Sequence, residues 1–153
     1  MNWMEFWDFL ANVGTCIAAF IALVTFIKAK KDSQKALERE KKQATLEAFN
    51  LLQEQVLDQL NQYTAKSLEE IAADNKSEEY KKILTMLARC EHFAIGVKEE
   101  IYDKHTVQEL GGVHLYYTYI KIKPIIEKSR ESRPDRAKNY KAFEELAQSM
   151  KES

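Results

Sequence analysis

Turn-forming residues are scarce: four glycines and two prolines in 153 residues. That is too few for a sandwich or barrel built of many tight turns. The two cysteines, Cys16 and Cys90, cannot make a disulfide framework. Neither sign of charge prevails, with 23 Lys and Arg against 24 Asp and Glu and a net charge of −1. A wholly basic nucleic-acid binder and a highly charged disordered tail are both disfavoured. No glycine-rich phosphate loop and no nucleophile elbow occurs. None of His92, His105 and His114 stands four residues from another, and Cys90 and His92 point to opposite sides of a helix. No metal site and no cofactor is therefore expected.

What the chain does have is one long apolar run within an otherwise hydrophilic sequence of mean hydropathy −0.47. Residues 9–27, FLANVGTCIAAFIALVTFI, are nineteen residues without a charge. At about 1.5 Å per residue such a helix approaches the ~30 Å of a bilayer's hydrocarbon core. Trp3, Phe6 and Trp7 lie in residues 1–8, where aromatic rings favour the headgroup region. Glu5 and Asp8 replace the basic start of a signal peptide, and no convincing A-x-A cleavage site follows, so an uncleaved anchor is expected. Residues 28–43 then hold seven bases and three acids, a net +4. The positive-inside rule places residues 44–153 in the cytoplasm and the N-terminus outside. A reduced Cys90 suits that compartment.

The apolar helix has two unlike faces. Gly14, Ala18 and Ala22 form a small-xxx-small ladder that allows close backbone approach, beside Asn12, Thr15 and Ala19. Asn12 is costly in lipid without a partner. The plain reading is chance alanine richness; the sharper one is a homo-oligomer assembled through this face. In a large ring Asn12, Thr15 and Ala19 would line a pore with Phe26 as its constriction.

Beyond the basic stalk of residues 28–43 the periodicity is helical throughout. Leu46, Phe49, Leu52, Val56, Leu57 and Leu60 mark one helix that fades near Tyr63, and residues 67–73 add a turn or two. A capping box at Asn75–Glu78 opens a helix with the stripe Ile83, Leu87, Cys90, Ala94, Val97 and Ile101. A second box at Thr106–Glu109 opens one carrying Leu110, Val113, Tyr116, Tyr117, Ile120 and Pro124, where the proline should kink or shorten its end. Ser132–Asp135 starts a last helix with Tyr140, Phe143, Leu146 and Met150. The expected fold is all-α: one transmembrane helix, a charged helical stalk and a cytoplasmic bundle of about four helices.

Arg89, Glu91 and His92 form the most site-like cluster. Arg89 and His92 fall close across one turn, while Glu91 lies at the edge of the apolar stripe. A half-buried carboxylate there fixes helix packing or takes a partner. Arg130, Arg133 and Arg136 make a local basic patch, in the plain reading a solvated face and in the sharper one a site for an acidic partner or RNA. Direct nucleic-acid binding is disfavoured, because the basic stalk lacks interleaved aromatics for stacking.

LARCEHFAIGVKEEIYD, VHLYYTYIKIKPIIEKSRE and NYKAFEELAQ, with Glu91, Gly96, Pro124, Arg130, Tyr140 and Phe143 as their marks, resemble a bacterial family of small membrane proteins of unknown function. The architecture is also similar to the membrane accessory protein of RNA-targeting type VI CRISPR systems, a HEPN-like helical domain on a membrane helix. That likeness implies an inner-membrane, ring-forming pore that supports antiphage defence beside an RNA-guided nuclease or other cytosolic defence protein. It also marks a departure: nuclease HEPN domains separate Arg from His by four to six residues, and no such pair occurs here. The expected function is a non-enzymatic, self-assembling membrane protein, a defence accessory or effector that forms a pore or perturbs the membrane. The alternative is a membrane-tethered helical module that recruits a cytosolic partner without a pore.

Overall fold

The computed structural model describes residues 2–132 and 138–151, and gives only the backbone for residues 3–19. Every regular element among them is helical: α1 (Trp3–Leu52), a π-helical turn (Gln53–Leu57), α2 (Asp58–Asn61), α3 (Ala65–Ala73), α4 (Glu78–Lys98), α5 (Lys104–Glu109), α6 (Val113–Glu131) and α7 (Lys141–Ser149). The expected all-α class is found. The chain divides into two units, Met1–Glu40 and Lys41–Ser153.

The first unit is helix. From Phe20 to Ile27 its side chains face outward, including Phe20, Ile21, Leu23, Val24, Phe26 and Ile27. The bases from Lys28 to Arg39 are also exposed. Among the described residues no helix is long and apolar enough to cross a membrane. The expected span 9–27 lies outside them for the side chains of its first eleven residues.

The second unit holds the core. Phe49, Leu52, Val56, Leu57 and Leu60 from α1 to α2 meet Leu68 of α3, the stripe of α4 and the inner faces of α6 and α7. α4 packs on α7 and on the π turn, α3 on α6, and α6 on α7. Thr45, fully buried, donates to the Lys41 carbonyl and accepts from the Asp103 N–H at 2.8 Å. It thereby ties the loop after α4 back to α1.

Several boundaries differ from the sequence reading, each for a local reason. α3 starts one residue after Thr64, which exchanges reciprocal hydrogen bonds with Ser67. α4 is capped by Ser77 rather than Asn75, because Asp74 gathers the Lys76 N–H and the Ser77 hydroxyl into a turn first. α5 is capped by Asp103, whose carboxylate accepts from both the N–H and the hydroxyl of Thr106; Thr106 is thus inside the helix, not its cap. Those bonds hold the Asp103 carboxyl below its usual range. α6 begins only after Gly111 (φ +104°) and runs on through Pro124 to Glu131. Its buried face is Leu115, Thr118, Tyr119, Ile122, Ile125, Ile126 and Ser129. Of the expected stripe, Tyr117 and Ile120 are exposed instead, while Leu110, Val113, Tyr116 and Pro124 are half-buried. Both faces carry apolar residues at helical spacing, and the longer run of β-branched isoleucines faces the core. Ile101 of the α4 stripe is also exposed, since it lies in the loop beyond the helix. The expected start of the last helix falls partly on residues 133–137, outside the described ones.

α7 begins at Lys141 without a cap of its own. Tyr140 precedes it in the left-handed region (φ +62°) and makes no side-chain cap hydrogen bond. The acceptors come from another helix. Glu91 of α4 takes the Ala142 N–H at 3.1 Å on one carboxylate oxygen and the Phe143 N–H at 2.8 Å on the other. A carboxylate here answers two of the four free N–H groups and the positive end of the helix dipole together. Replacing Glu91 by Gln leaves one acceptor oxygen for two donors. Chemical denaturation is expected to show a loss of about 1–2 kcal/mol for Glu91→Gln and about 2–3 kcal/mol for Glu91→Ala, the range for charge-assisted bonds to buried backbone. An unchanged midpoint in both would show that α7 is held by its apolar face alone.

Candidate functional site

The end of α1 does not continue as a regular helix. Two apolar pairs, Leu51–Leu52 and Val56–Leu57, stand five residues apart. A wider turn with i→i+5 geometry accommodates that interval, and the π turn falls between them. Val56 and Leu57 both become buried, while Gln55 is left on the surface facing α4. Its Oε1 accepts from Arg89 Nη1 at 2.7 Å.

Around that bond lies a groove of about 290 Å³. Ala48, Leu51, Leu52, Gln55 and Val56 form one wall, Arg89, His92 and Phe93 the other, and Tyr102 closes an end. Leu52, Val56 and Phe93 are nearly or fully buried and make a dry floor, whereas Leu51 stands 53% exposed on the lip. Phe93 stacks on Tyr102 with ring centroids 5.2 Å apart and meets Phe49 at 5.9 Å. Tyr102 in turn lies against Gly96, where an added Cβ would come within 2.5 Å of the ring. The α4 glycine therefore sets the depth at which Tyr102 lies.

The cluster Arg89–His92 thus divides. Arg89 and His92 share one groove, as expected from their spacing. Glu91 points away from it, to the α7 backbone, which is the packing role. Gln55 and Tyr102 were not anticipated. The five-residue interval between apolar pairs is the signal for Gln55, and nothing in the sequence brings Tyr102 to the groove.

The basic patch also divides. Arg130 donates to the Asn139 carbonyl at 3.1 Å and to Glu144 at 2.8 Å, with both side chains about three-quarters covered. It serves the α6–α7 junction rather than a partner. Arg133 and Arg136 lie outside the described residues. Of the expected oligomer face, Asn12, Gly14, Thr15, Ala18 and Ala19 are described only as helix backbone, while Ala22 and Phe26 are exposed.

A second, larger groove of about 500 Å³ borders Lys41, Lys98, Asp103, Tyr102 and Glu145. Three of its charges are answered locally: Glu145 lies 3.3 Å from Lys98 and 3.7 Å from Lys141, and Asp103 caps α5. Among the described residues no group of His, Cys, Asp and Glu is arranged to hold a metal ion.

Three groups near the core titrate away from their ordinary values. The Tyr119 hydroxyl donates to Glu144 at 2.6 Å. That bond, then Arg130, holds the Glu144 carboxyl below its usual range. Burial, then the same bond, pushes Tyr119 up to about 12. Burial pushes the Cys90 thiol up to about 12. Raised values favour the protonated fold: the stabilisation is complete below the unfolded values of 10.0 and 9.0 and disappears as pH rises towards about 12. Glu144 acts in the opposite sense, stabilising above its unfolded value of 4.5 and failing as pH falls through its lowered one. Urea midpoints are expected to decline above pH 9 and below pH 4.5, and Tyr119→Phe should flatten part of the alkaline limb. A midpoint constant from pH 9 to 12 would contradict the alkaline assignment.

A protein-family model described as "Domain of unknown function (DUF4760)" matches residues 12–150. No curated protein and no solved structure matches the chain.

Proposed function

We propose that this chain, which belongs to the DUF4760 family, is a membrane-anchored helical module that self-associates and recruits a cytosolic partner, without enzymatic chemistry. The observation that carries the anchor is the surface from Phe20 to Ile27. Six large apolar side chains there are 49–68% exposed, on one short stretch of helix. Such a surface is stable only when lipid or another apolar helix covers it. With residues 9–19 it makes the nineteen-residue uncharged run, and the exposed bases from Lys28 onward suit the cytoplasmic headgroups. In this reading residues 9–27 span the inner membrane and residues 44–153 lie in the cytoplasm.

The groove of Gln55, Arg89 and His92 favours recruitment as the module's task. It pairs a dry floor with basic groups at the rim, as binding grooves do. A second reading is the defence pore, in which the Gly14, Ala18 and Ala22 face closes a ring with Phe26 inside it. The exposure of Ala22 and Phe26 on the helix surface favours it.

Carbonate extraction and flotation should keep the full chain with the membrane. Mass photometry in detergent should show oligomers. Gly14→Leu is expected to reduce their population at least tenfold while membrane retention stays intact. Release of the chain by carbonate would overturn the anchor, and particles of monomer mass alone would overturn self-association. Dissipation of membrane potential on expression, abolished by Gly14→Leu, would select the pore; intact potential with intact oligomers would select recruitment.

A further inference from the structure

The groove beside the π turn is apolar below and basic above. Its walls contain Arg89, His92 and the neutral Gln55, and no carboxylate lines it. The partner of Arg89 is an amide oxygen, which satisfies one N–H, and among the described residues no carboxylate pairs with the guanidinium. Arg130, by contrast, meets Glu144, and in the larger groove Lys98 meets Glu145. An occupant that covers the Leu51 lip also strips water from Arg89. Covering a cation without supplying an anion is unfavourable, because the lost hydration is not replaced. An occupant that brings a carboxylate as well as an apolar surface is therefore favoured over a basic one.

The floor sets its shape. Ala48, Leu51, Leu52, Gln55 and Val56 follow one another along about two helical turns, and Arg89, His92 and Phe93 along one turn of α4. Two helices side by side present a furrow that the ridge of a third helix fills. The chain's own acidic helices do not supply it: α4 and α7 bury their apolar stripes in the core.

We propose that this groove binds an amphipathic helix of a partner protein, with a leucine-type residue against Leu51 above Leu52 and Phe93 and a Glu or Asp against Arg89 and His92. This rests on the recruitment reading above and names the partner's chemistry.

The test uses the full chain in detergent micelles and two fluorescein-labelled designed peptides. One is an amphipathic helix with a leucine face flanked by glutamates; the other carries lysines in their place. Fluorescence anisotropy should show the acidic peptide binding at least tenfold more tightly than the basic one. Arg89→Glu should remove that preference, and Leu51→Asp should weaken the acidic peptide at least tenfold. Both positions are exposed, and unchanged thermal unfolding of each variant would confirm that it folds. Added salt should reduce the preference for the acidic peptide. Equal binding of the two peptides, or acidic-peptide binding untouched by Arg89→Glu and Leu51→Asp in folded protein, would overturn the proposal. Either result can occur with the chain fully retained by membranes, so it is distinct from failure of the anchor, which carbonate extraction reads.

Discussion

The Glu91 carboxylate on the backbone of α7 is the contact on which the second unit's arrangement depends. α7 is nine residues long and follows a left-handed tyrosine, so it has neither the length nor the cap to stand alone. One side chain from α4 supplies acceptors for two of its free N–H groups. With α7 docked, Phe143 meets Tyr119 at 6.1 Å and Glu144 reaches Tyr119 and Arg130. Met150, at the far end, is fully buried, and Gly112 has no room for a Cβ beside its sulfur. One side chain of α4 thus sets where α7 begins, and the apolar face of α7 then packs against α4 and α6.

Helical content, the position of α4 and most of the core were legible in the sequence, because Ile83, Leu87, Cys90, Ala94 and Val97 repeat at the helical period and are all buried. The partial burial and packing role of Glu91 followed from its place at the edge of that stripe. α6 was read on the wrong face because it carries two apolar stripes, and only tertiary packing decides between them. The caps shifted by two or three residues where an aspartate formed a turn first, as Asp74 and Asp103 do. Such competition among nearby side chains is decided by backbone geometry, which spacing does not encode.

The candidate site was half legible. Arg89 and His92 come together because three residues on a helix make neighbours. Their complement, Gln55, comes from a turn wider than the α-helix, and a reading that assumes a regular 3.6-residue period places it elsewhere. Arg130 shows the opposite error: an arginine counted as surface turns out to satisfy a carbonyl and a carboxylate at a helix junction. Charge clusters in sequence do not distinguish a cation that waits for a partner from one that already has it.

Tyr102 borders both grooves of the second unit. Its ring is wedged against Gly96 on one side and stacked on Phe93 on the other, so it has little freedom to yield to two neighbours independently. Tyr102 is thus a shared wall, and a substitution that moves its ring alters the outline of both concavities at once.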